Sequence, residues 1–440
     1  MRSARSAESP SALRQIWLMF FAFVLLLSLA RFVFRGSSLL AHFAVLAHAI
    51  LTLYVLARGK RQGTALLSLA FLARLGFLLW DIYASHIFNL PNSGADTWMY
   101  YRNAQAIGRD ITQLFVPQRG SVYSQVIGVL FYLTGTSSRV LGGYVNVLLG
   151  LSVVLLVQRM LRMTGATARV MNRVMLLVSF FPNSLIMSAI FLREIFPTFF
   201  VAASLLYFIK WFQKPGSRDM LMCLLMLAIG SMFHSGVIGL ALGYFYGFLF
   251  YQHKSRRFTF LPRNLFSFVL LSAVIYLAVT VFQDSIFGKF QHLDEFEDIY
   301  QTANTRLGGS AYLVNMQINT LWQFVIFSPV KMLYFLGAPM PWNWRGPMDI
   351  ITFMTDSALY LYVVVSLFRR WRQLGSAKPL ARMLAIAMLG AVLIFGVGVS
   401  NAGTALRHRQ KLLPLFLVLL SVLQYKTKHG AYAFSHAMKN

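Results

Sequence analysis

Two carboxylates and a set of arginines stand where a greasy chain has little ordinary use for charge. In "NSGADTWMYYRNAQAIGRD", Asn92 to Asp110, a turn signalled by Asn-Ser-Gly leads into a helical pattern from Thr97. Asp96 suits the N-cap of that helix, and it equally suits a general base at the mouth of a cavity. A carboxylate within hydrogen-bond reach takes the proton of an attacking hydroxyl. Tyr100 and Ala104 share one face of the helix, and Tyr101 and Gln105 another. In "SAIFLREIFPTFF", Ser188 to Phe200, Arg193 and Glu194 sit between two apolar runs, with Pro197 in the first turn of the next helix. They read as an interfacial ion pair, or as an anion clamp beside a second acid.

The late segment "VSNAGTALRHRQKLLPLFLVLL", Val399 to Leu420, carries Arg407, His408, Arg409 and Lys411. Arg407 and Arg409 are two apart and diverge on a regular helix. In extended backbone ahead of a helix capped by Thr404, with freedom supplied by Gly403, they converge on one anion. Guanidinium groups bind phosphate oxygens in bidentate fashion. The competing reading is ordinary anionic phospholipid.

Two further segments have sugar-binding character. "YFLGAPMPWNWRG", Tyr334 to Gly346, combines prolines with Trp342 and Trp344, so it is not regular helix. Its indoles fit an aromatic belt or the face of a sugar. "NTRLGGSAY", Asn304 to Tyr312, offers Gly308, Gly309 and Ser310 as a backbone nest for an anion, or as a turn. Tyr100, Arg306, Trp342, Arg345 and Asn401 are the candidates for holding sugar. The acids Asp294, Glu295, Glu297 and Asp298 lack metal-loop spacing and read as a solvated surface. His234 and Ser235 lie at a bend between two apolar stretches, and His234 reads as a helix-end residue.

The elements that position these groups are membrane helices. The chain has 440 residues, 58% hydrophobic and 12% charged, far more apolar than a soluble core requires. Spans of about 20 residues recur: 16–34, 37–57, 64–84, 139–157, 174–191, 195–212, 220–251 as a hairpin, 265–283, 351–368, 383–400 and 408–424. The weaker stretches 121–135 and 320–337 fit re-entrant or surface helices. The expected fold is an all-α polytopic membrane protein, one integral membrane domain over 1–440, with roughly eleven to thirteen crossings. The segment from Ile16 follows Arg2, Arg5 and Arg14 and reads as an uncleaved anchor rather than a signal peptide. A single cysteine, Cys223, excludes a disulfide framework and a cysteine metal site.

The net charge of +27 follows from loops that collect base on the cytoplasmic side, not from nucleic-acid binding. Residues 158–173, 252–263 and 369–382 are dense in Arg and Lys, which places them and the N-terminus inside. Residues 85–120, 284–319, 338–350 and 401–410 then form the outer loops. Ten of thirteen acids fall at or beyond that outer face: Asp81, Asp96, Asp110, Glu194, Asp284, Asp294, Glu295, Glu297, Asp298 and Asp349. Asp356 lies just inside the following span. Arg102, Arg109, Arg119, Arg193, Arg306, Arg345, Arg407 and Arg409 share the outer side, and the positive-inside rule does not ask for them.

The ordered pieces "ADTWMYYRNAQ", "FLRE", "GGSAY", "FLGAPMPW" and "NAGTALRHR" resemble bacterial polytopic sugar transferases that use polyprenyl-linked donors. These include Wzy-like repeat-unit polymerases and EpsG-like exopolysaccharide proteins of the GT-C type. The resemblance implies an all-helical fold, catalysis on the outer face of a bacterial inner membrane, and a polyprenyl-diphosphate-linked oligosaccharide as substrate. It implies Asp96 as the catalytic base, and Arg193, Arg407 and Arg409 as phosphate-binding residues; Glu194 is the alternative catalytic acid among the residues. Many such transferases carry an acidic pair in the first outer loop, whereas Thr97 follows Asp96 here. No metal and no cofactor is therefore expected. Expected partners are membrane lipids, a flippase and a chain-length regulator. Two other readings stay open: transfer of a single sugar from a polyprenyl phosphate, and a flippase for the same lipids. Charges at one edge and the lack of a pseudo-repeat favour an enzyme.

Overall fold

A computed structural model describes residues 12–33, 38–58, 63–116, 121–262, 264–267, 269, 309–313, 316 and 321–424. Most of the 265–283 stretch lies outside the described residues. So do Arg119, Asp284, Asp294, Glu295, Glu297, Asp298, Arg306 and Gly308.

The chain is an all-α polytopic membrane protein. Its helices are α1 Ala12–Ala30, α2 Ser38–Arg58, α3 Thr64–Tyr83, α4 Ala95–Arg109, α5 Ser121–Thr134, α6 Arg139–Met163, α7 Ala168–Phe180, α8 Pro182–Met187, α9 Ile195–Gln213, α10 Ser217–Phe233, α11 Ala241–Phe250, α12 Leu321–Gly337, α13 Pro347–Thr352, α14 Ala358–Arg370, α15 Lys378–Val397 and α16 Ala402–Leu423. Between α11 and α12, β1 (Tyr251–Gln252) and β2 (Arg257–Phe258) pair antiparallel, Tyr251 opposite Phe258. Among the described residues seven helical segments are long and apolar enough to cross a membrane. They are α1, α2, α3, α6, α9, Pro347–Gln373 and Gly375–Val397. The sequence expectation of eleven to thirteen counts further stretches whose helices are shorter, more polar or outside the described residues.

Three local expectations are corrected. The 174–191 run is not one span: α7 ends at Phe180 and Pro182 opens α8. Proline lacks the N–H a continuing helix needs, but it suits a first helical position. At α4 the residue before the helix is Gly94, not Asp96, and the Thr97 hydroxyl donates to the Gly94 carbonyl at 2.6 Å. At α16 the cap is Asn401, whose side chain accepts from the Thr404 N–H, so the helix starts earlier than Thr404 capping implied. The two weaker stretches are indeed short: α5 has 14 residues, about 21 Å at 1.5 Å per residue, against ~30 Å of hydrocarbon.

The described residues group into two compact units. The first draws on 1–155 and 184–196, the second on 156–183 and 197–440. In the first, α4 packs along α5, and α1 meets α2 and α5. Helix α6 is wholly buried over its apolar window. At Gly150 on α6, an added Cβ would lie 2.7 Å from Ser188 and 2.9 Å from the Arg74 guanidinium, so the missing side chain makes room for a buried arginine.

In the second unit α15 is the hub. It packs against α11, α12, α16 and the tight 3₁₀ turn at Ser235–Leu240. A Cβ at Gly243 would come within 2.4 Å of the Ala387 nitrogen and the Met383 carbonyl. Bare backbone on one side is what lets α11 and α15 approach so closely, as in small-residue crossings of membrane helices.

Candidate functional site: a half-open cavity beside a buried ion pair

In the second unit, three stretches remote in sequence converge. Ala311 and Asn401 form an antiparallel bridge. The Tyr312 N–H donates to the Ser400 carbonyl and the Ala402 N–H to the Ser310 carbonyl, both at 2.9 Å. The Ser310 hydroxyl donates to Asn401 Oδ1 at 2.9 Å, and the Tyr312 hydroxyl to the Val399 carbonyl at 3.1 Å. The segment 338–345 closes the third side. The half-open cavity has a volume of about 310 Å³, and its lining includes Ser310, Tyr312, Trp342, Trp344, Arg345 and Ala402.

Local bonds fix the polar lining. Trp344 Nε1–H donates to the Pro339 carbonyl at 3.1 Å, and Trp342 Nε1–H to the Tyr334 hydroxyl at 2.8 Å. The Tyr334 ring stands 5.3 Å from that of Tyr312. Arg345 keeps half of its side chain in the open. Its Nε lies 3.3 Å from an oxygen of Asp349, which also accepts the Arg345 backbone N–H at 2.9 Å. Burial pushes the Tyr312 phenol well above its usual range, opposed by the Arg409 charge, so it works as a neutral hydrogen-bonding group.

Beneath the cavity's wall lies an ion pair that spacing alone did not reveal. Arg409 Nη2 is 2.6 Å from Asp356 Oδ2, with side-chain exposures of 0% and 2%. Asp356 sits in a single π turn, Phe353–Ser357, between α13 and α14. Such a turn inserts an extra residue and re-aims the side chains around it, and π turns occur often at functional sites. Asn183 Nδ2 donates to Asp356 Oδ1 at 3.2 Å and to the Leu406 carbonyl at 2.9 Å. Arg409 Nη1 donates to the carbonyls of Phe335 and Leu336 at 2.9 and 3.0 Å. The Tyr360 hydroxyl reaches the Arg409 carbonyl at 3.1 Å, and the Ser357 hydroxyl the Ala338 carbonyl at 2.8 Å. Arg409 thus ties α12, α14 and α16 together directly behind Ala338.

This geometry redistributes the arginines. Arg407 and Arg409 both lie inside α16, about 200° apart around it, so they do not converge on one anion as expected for extended backbone. Arg407 is half-buried, while Arg409 is enclosed and engaged by Asp356. Asn401 is half-buried, and its Oδ1 is committed to Thr404 N–H and the Ser310 hydroxyl. Through these bonds it holds Ser310 and the start of α16 beside the cavity. Trp342 and Arg345 do line the cavity, while Arg306 lies outside the described residues.

The first unit holds the remaining candidates. Asp96 is exposed in the first turn of α4, and Tyr100 is buried with its ring 5.4 Å from that of Tyr123. Glu194 is 1% exposed and Arg193 half-buried. Their turn is held by Asn146, whose amide donates to the Ile190 and Leu192 carbonyls at 2.8 and 3.0 Å. Asp81, grouped by sequence with the outer acids, is buried. It pairs with Arg139 at 2.7 Å and accepts from the Ser93 hydroxyl. Arg139 in turn stacks over Trp98, 4.7 Å from its ring centre. Asp110 caps the turn Ile111–Phe115, and hydrogen bonds from Thr112 hold its carboxyl below the usual range.

Asp356, Asn183, Tyr312 and Trp344 are the site residues that sequence reasoning did not assign. For Asp356 the signal existed, since an acid inside a membrane span rarely lacks a partner. No family model, curated protein or solved structure matches the chain.

Proposed function

We propose that the chain is a glycosyltransferase of a bacterial inner membrane that polymerises polyprenyl-diphosphate-linked oligosaccharide repeat units on the periplasmic side. The observation that carries this reading is the cavity of the second unit. Its volume of about 310 Å³ suits a small ligand, and its walls offer what a sugar uses. Indole and phenol faces at Trp342, Trp344 and Tyr312 take the C–H faces of a ring, and the Arg345 guanidinium donates to hydroxyls.

In the reaction, a hydroxyl of an incoming lipid-linked unit attacks the anomeric carbon of the growing chain. The new glycosidic bond forms as the bond to the polyprenyl diphosphate breaks. The hydroxyl proton passes to a carboxylate, and the diphosphate leaves with the bonding pair. From the sequence, Asp96 or Glu194 is the candidate acceptor of that proton, and Arg193 and Arg407 are the candidate cations for the diphosphate; within the second unit, Arg409 holds the cavity's frame. Membrane lipids, a flippase and a chain-length regulator are the partners this reading calls for, and nucleic acid is not one.

The test is polymerisation by the purified protein in lipid, supplied with a defined undecaprenyl-diphosphate oligosaccharide and read as a ladder on a gel. Trp342→Ala and Arg345→Ala are each expected to slow the ladder about tenfold or more, equivalent to 1.4 kcal/mol of binding. Asp96→Asn is expected to slow it by about a hundredfold or more, the usual share of a general base. Lipid crossing the bilayer with no ladder would make the chain a transporter. A full ladder from both cavity variants would remove the cavity from the reaction.

A further inference from the structure

Most polar groups that line the cavity are spent on the protein itself. The Ser310 and Tyr312 hydroxyls and the indole N–H groups of Trp342 and Trp344 all donate to protein acceptors. The carbonyls of Ser310, Ala338 and Pro339 accept from the Ala402 N–H, the Ser357 hydroxyl and the Trp344 indole. Among the described residues of the lining, side-chain donors remain at Asn343 and Arg345. Arg345 is the charged residue of that set, and no carboxylate shares the lining with it.

The guanidinium is held from one side and open on the other. Asp349 accepts from its Nε–H at 3.3 Å and from the Arg345 backbone N–H at 2.9 Å. Nη1 and Nη2 have no hydrogen-bond partner among the described residues. Nη1 faces Gly309: a Cβ added there would lie 3.9 Å from it and meet nothing closer, so the missing side chain keeps that space clear. The hydroxyl of a neutral sugar brings a proton that needs an acceptor, and this lining has no carboxylate to take it. A carboxylate on the sugar only accepts, and its two oxygens match the parallel N–H groups of a guanidinium. Helix α16 also opens at the cavity, where Ala402 is both its first residue and part of the lining. The positive end of that helix dipole favours an anion there. Asp349 offsets the charge of Arg345, so the attraction is short-ranged and depends on the fork of N–H groups.

Resting on the reading of this cavity as the sugar site of a polymerase, we infer that it selects an acidic sugar. Nη1–H and Nη2–H of Arg345 grip the carboxylate of a uronic acid in the repeat unit, and the indole faces beside them cover its ring. Arg345 is then the residue that sets specificity. An uncharged sugar in the same place leaves the guanidinium without its matched acceptor, and the difference between the two ligands is the selectivity.

The experiment compares binding of methyl glucuronide and methyl glucoside to the full chain in phosphatidylcholine nanodiscs, read by ligand-observed NMR. The glucuronide is expected to bind about tenfold tighter, the worth of one charge-assisted contact. Arg345→Gln should bring it down to the level of the glucoside. Arg345→Lys, which keeps the charge and loses the fork, should fall between the two. Trp342→Ala should weaken both sugars by a similar factor and leave the preference intact. Half of the Arg345 side chain is open to solvent, so its variants are expected to fold, and Arg345→Gln decides the matter even if Trp342→Ala does not. Equal affinities in the unaltered chain would overturn the inference, as would a preference that survives Arg345→Gln. Loss of the preference when phosphatidylglycerol enters the disc would also overturn it, because the guanidinium would then belong to a lipid headgroup. Failure of both glycosides to bind would remove the sugar cavity and this inference with it. A glucuronide preference with no ladder from lipid-linked units would sink the polymerase reading alone. A ladder formed equally well from acidic and neutral repeat units would sink this inference alone.

Discussion

At the scale of single residues, the pair between Asp356 and Arg409 has the most to lose. Both groups are out of reach of solvent, 2.6 Å apart, with Asn183 hydrogen-bonded to Asp356 and two carbonyls to Arg409, while Arg409 Nε is buried without a hydrogen bond. Removing one partner leaves a bare charge in an apolar surround, at a cost of about 3–5 kcal/mol. Asp356→Asn or Arg409→Met should therefore lower the unfolding midpoint in detergent strongly. The double variant Asp356→Leu with Arg409→Met should recover much of the loss. Equal midpoints for the single and double variants would show that the charges do not depend on each other. Sequence marked Arg409 as an arginine with a special task, and the task proves to be architectural. Its partner lies 53 positions earlier and is aimed by a π turn, a register shift that no spacing rule reads. Trp342 and Arg345 were legible because a proline-rich, tryptophan-rich run cannot be plain helix.

At the scale of elements, the helix crossings depend on glycine where backbone meets backbone. Gly243 over Ala387 and Met383, and Gly239 over Gly390 and Ala391, leave no space for a methyl group. Gly243→Ala should cost about 1–3 kcal/mol, the usual range for overpacking, and broaden the protein's gel-filtration profile. Gly216→Ala, where an added Cβ meets nothing within 4 Å, is the matched control. Most spans could be read from their apolar runs, because length and hydropathy are what a bilayer selects. Helix ends could not. Asp96 and Thr404 looked like caps, but Gly94 and Asn401 precede the helices, and a shift of a few residues decided whether Arg407 and Arg409 could meet. Caps compete locally within about 1 kcal/mol, so tertiary bonds such as that between Ser310 and Asn401 choose among them.

At the scale of the molecule, the charge distribution is the basis of the proposed orientation. Arg369, Arg370, Arg372 and Lys378 cluster at the junction of α14 and α15, whereas Arg345 lies beyond the opposite end of the Pro347–Gln373 span. In the proposed orientation, the first group faces the cytoplasm, as the positive-inside rule asks. Because Cys223 is the sole cysteine and is buried, a Cys223→Ser background allows clean labelling. A cysteine at position 372 should react with an impermeant maleimide only after the inner side is opened, and one at position 345 in intact cells. The reverse pattern would turn the cavity toward the cytoplasm and end the periplasmic assignment.

The bridge between Ala311 and Asn401 has a consequence in time. It joins points 90 residues apart, and its second half is the entry to α16. A ribosome must translate past Ala402 before Ser310 and Tyr312 find their partners. The cavity is thus among the last features to take shape, after the helices around it have been inserted. Nascent chains stalled upstream of that point carry Trp342 and Arg345 but no closed binding space. A half-made copy therefore cannot hold a sugar in that cavity.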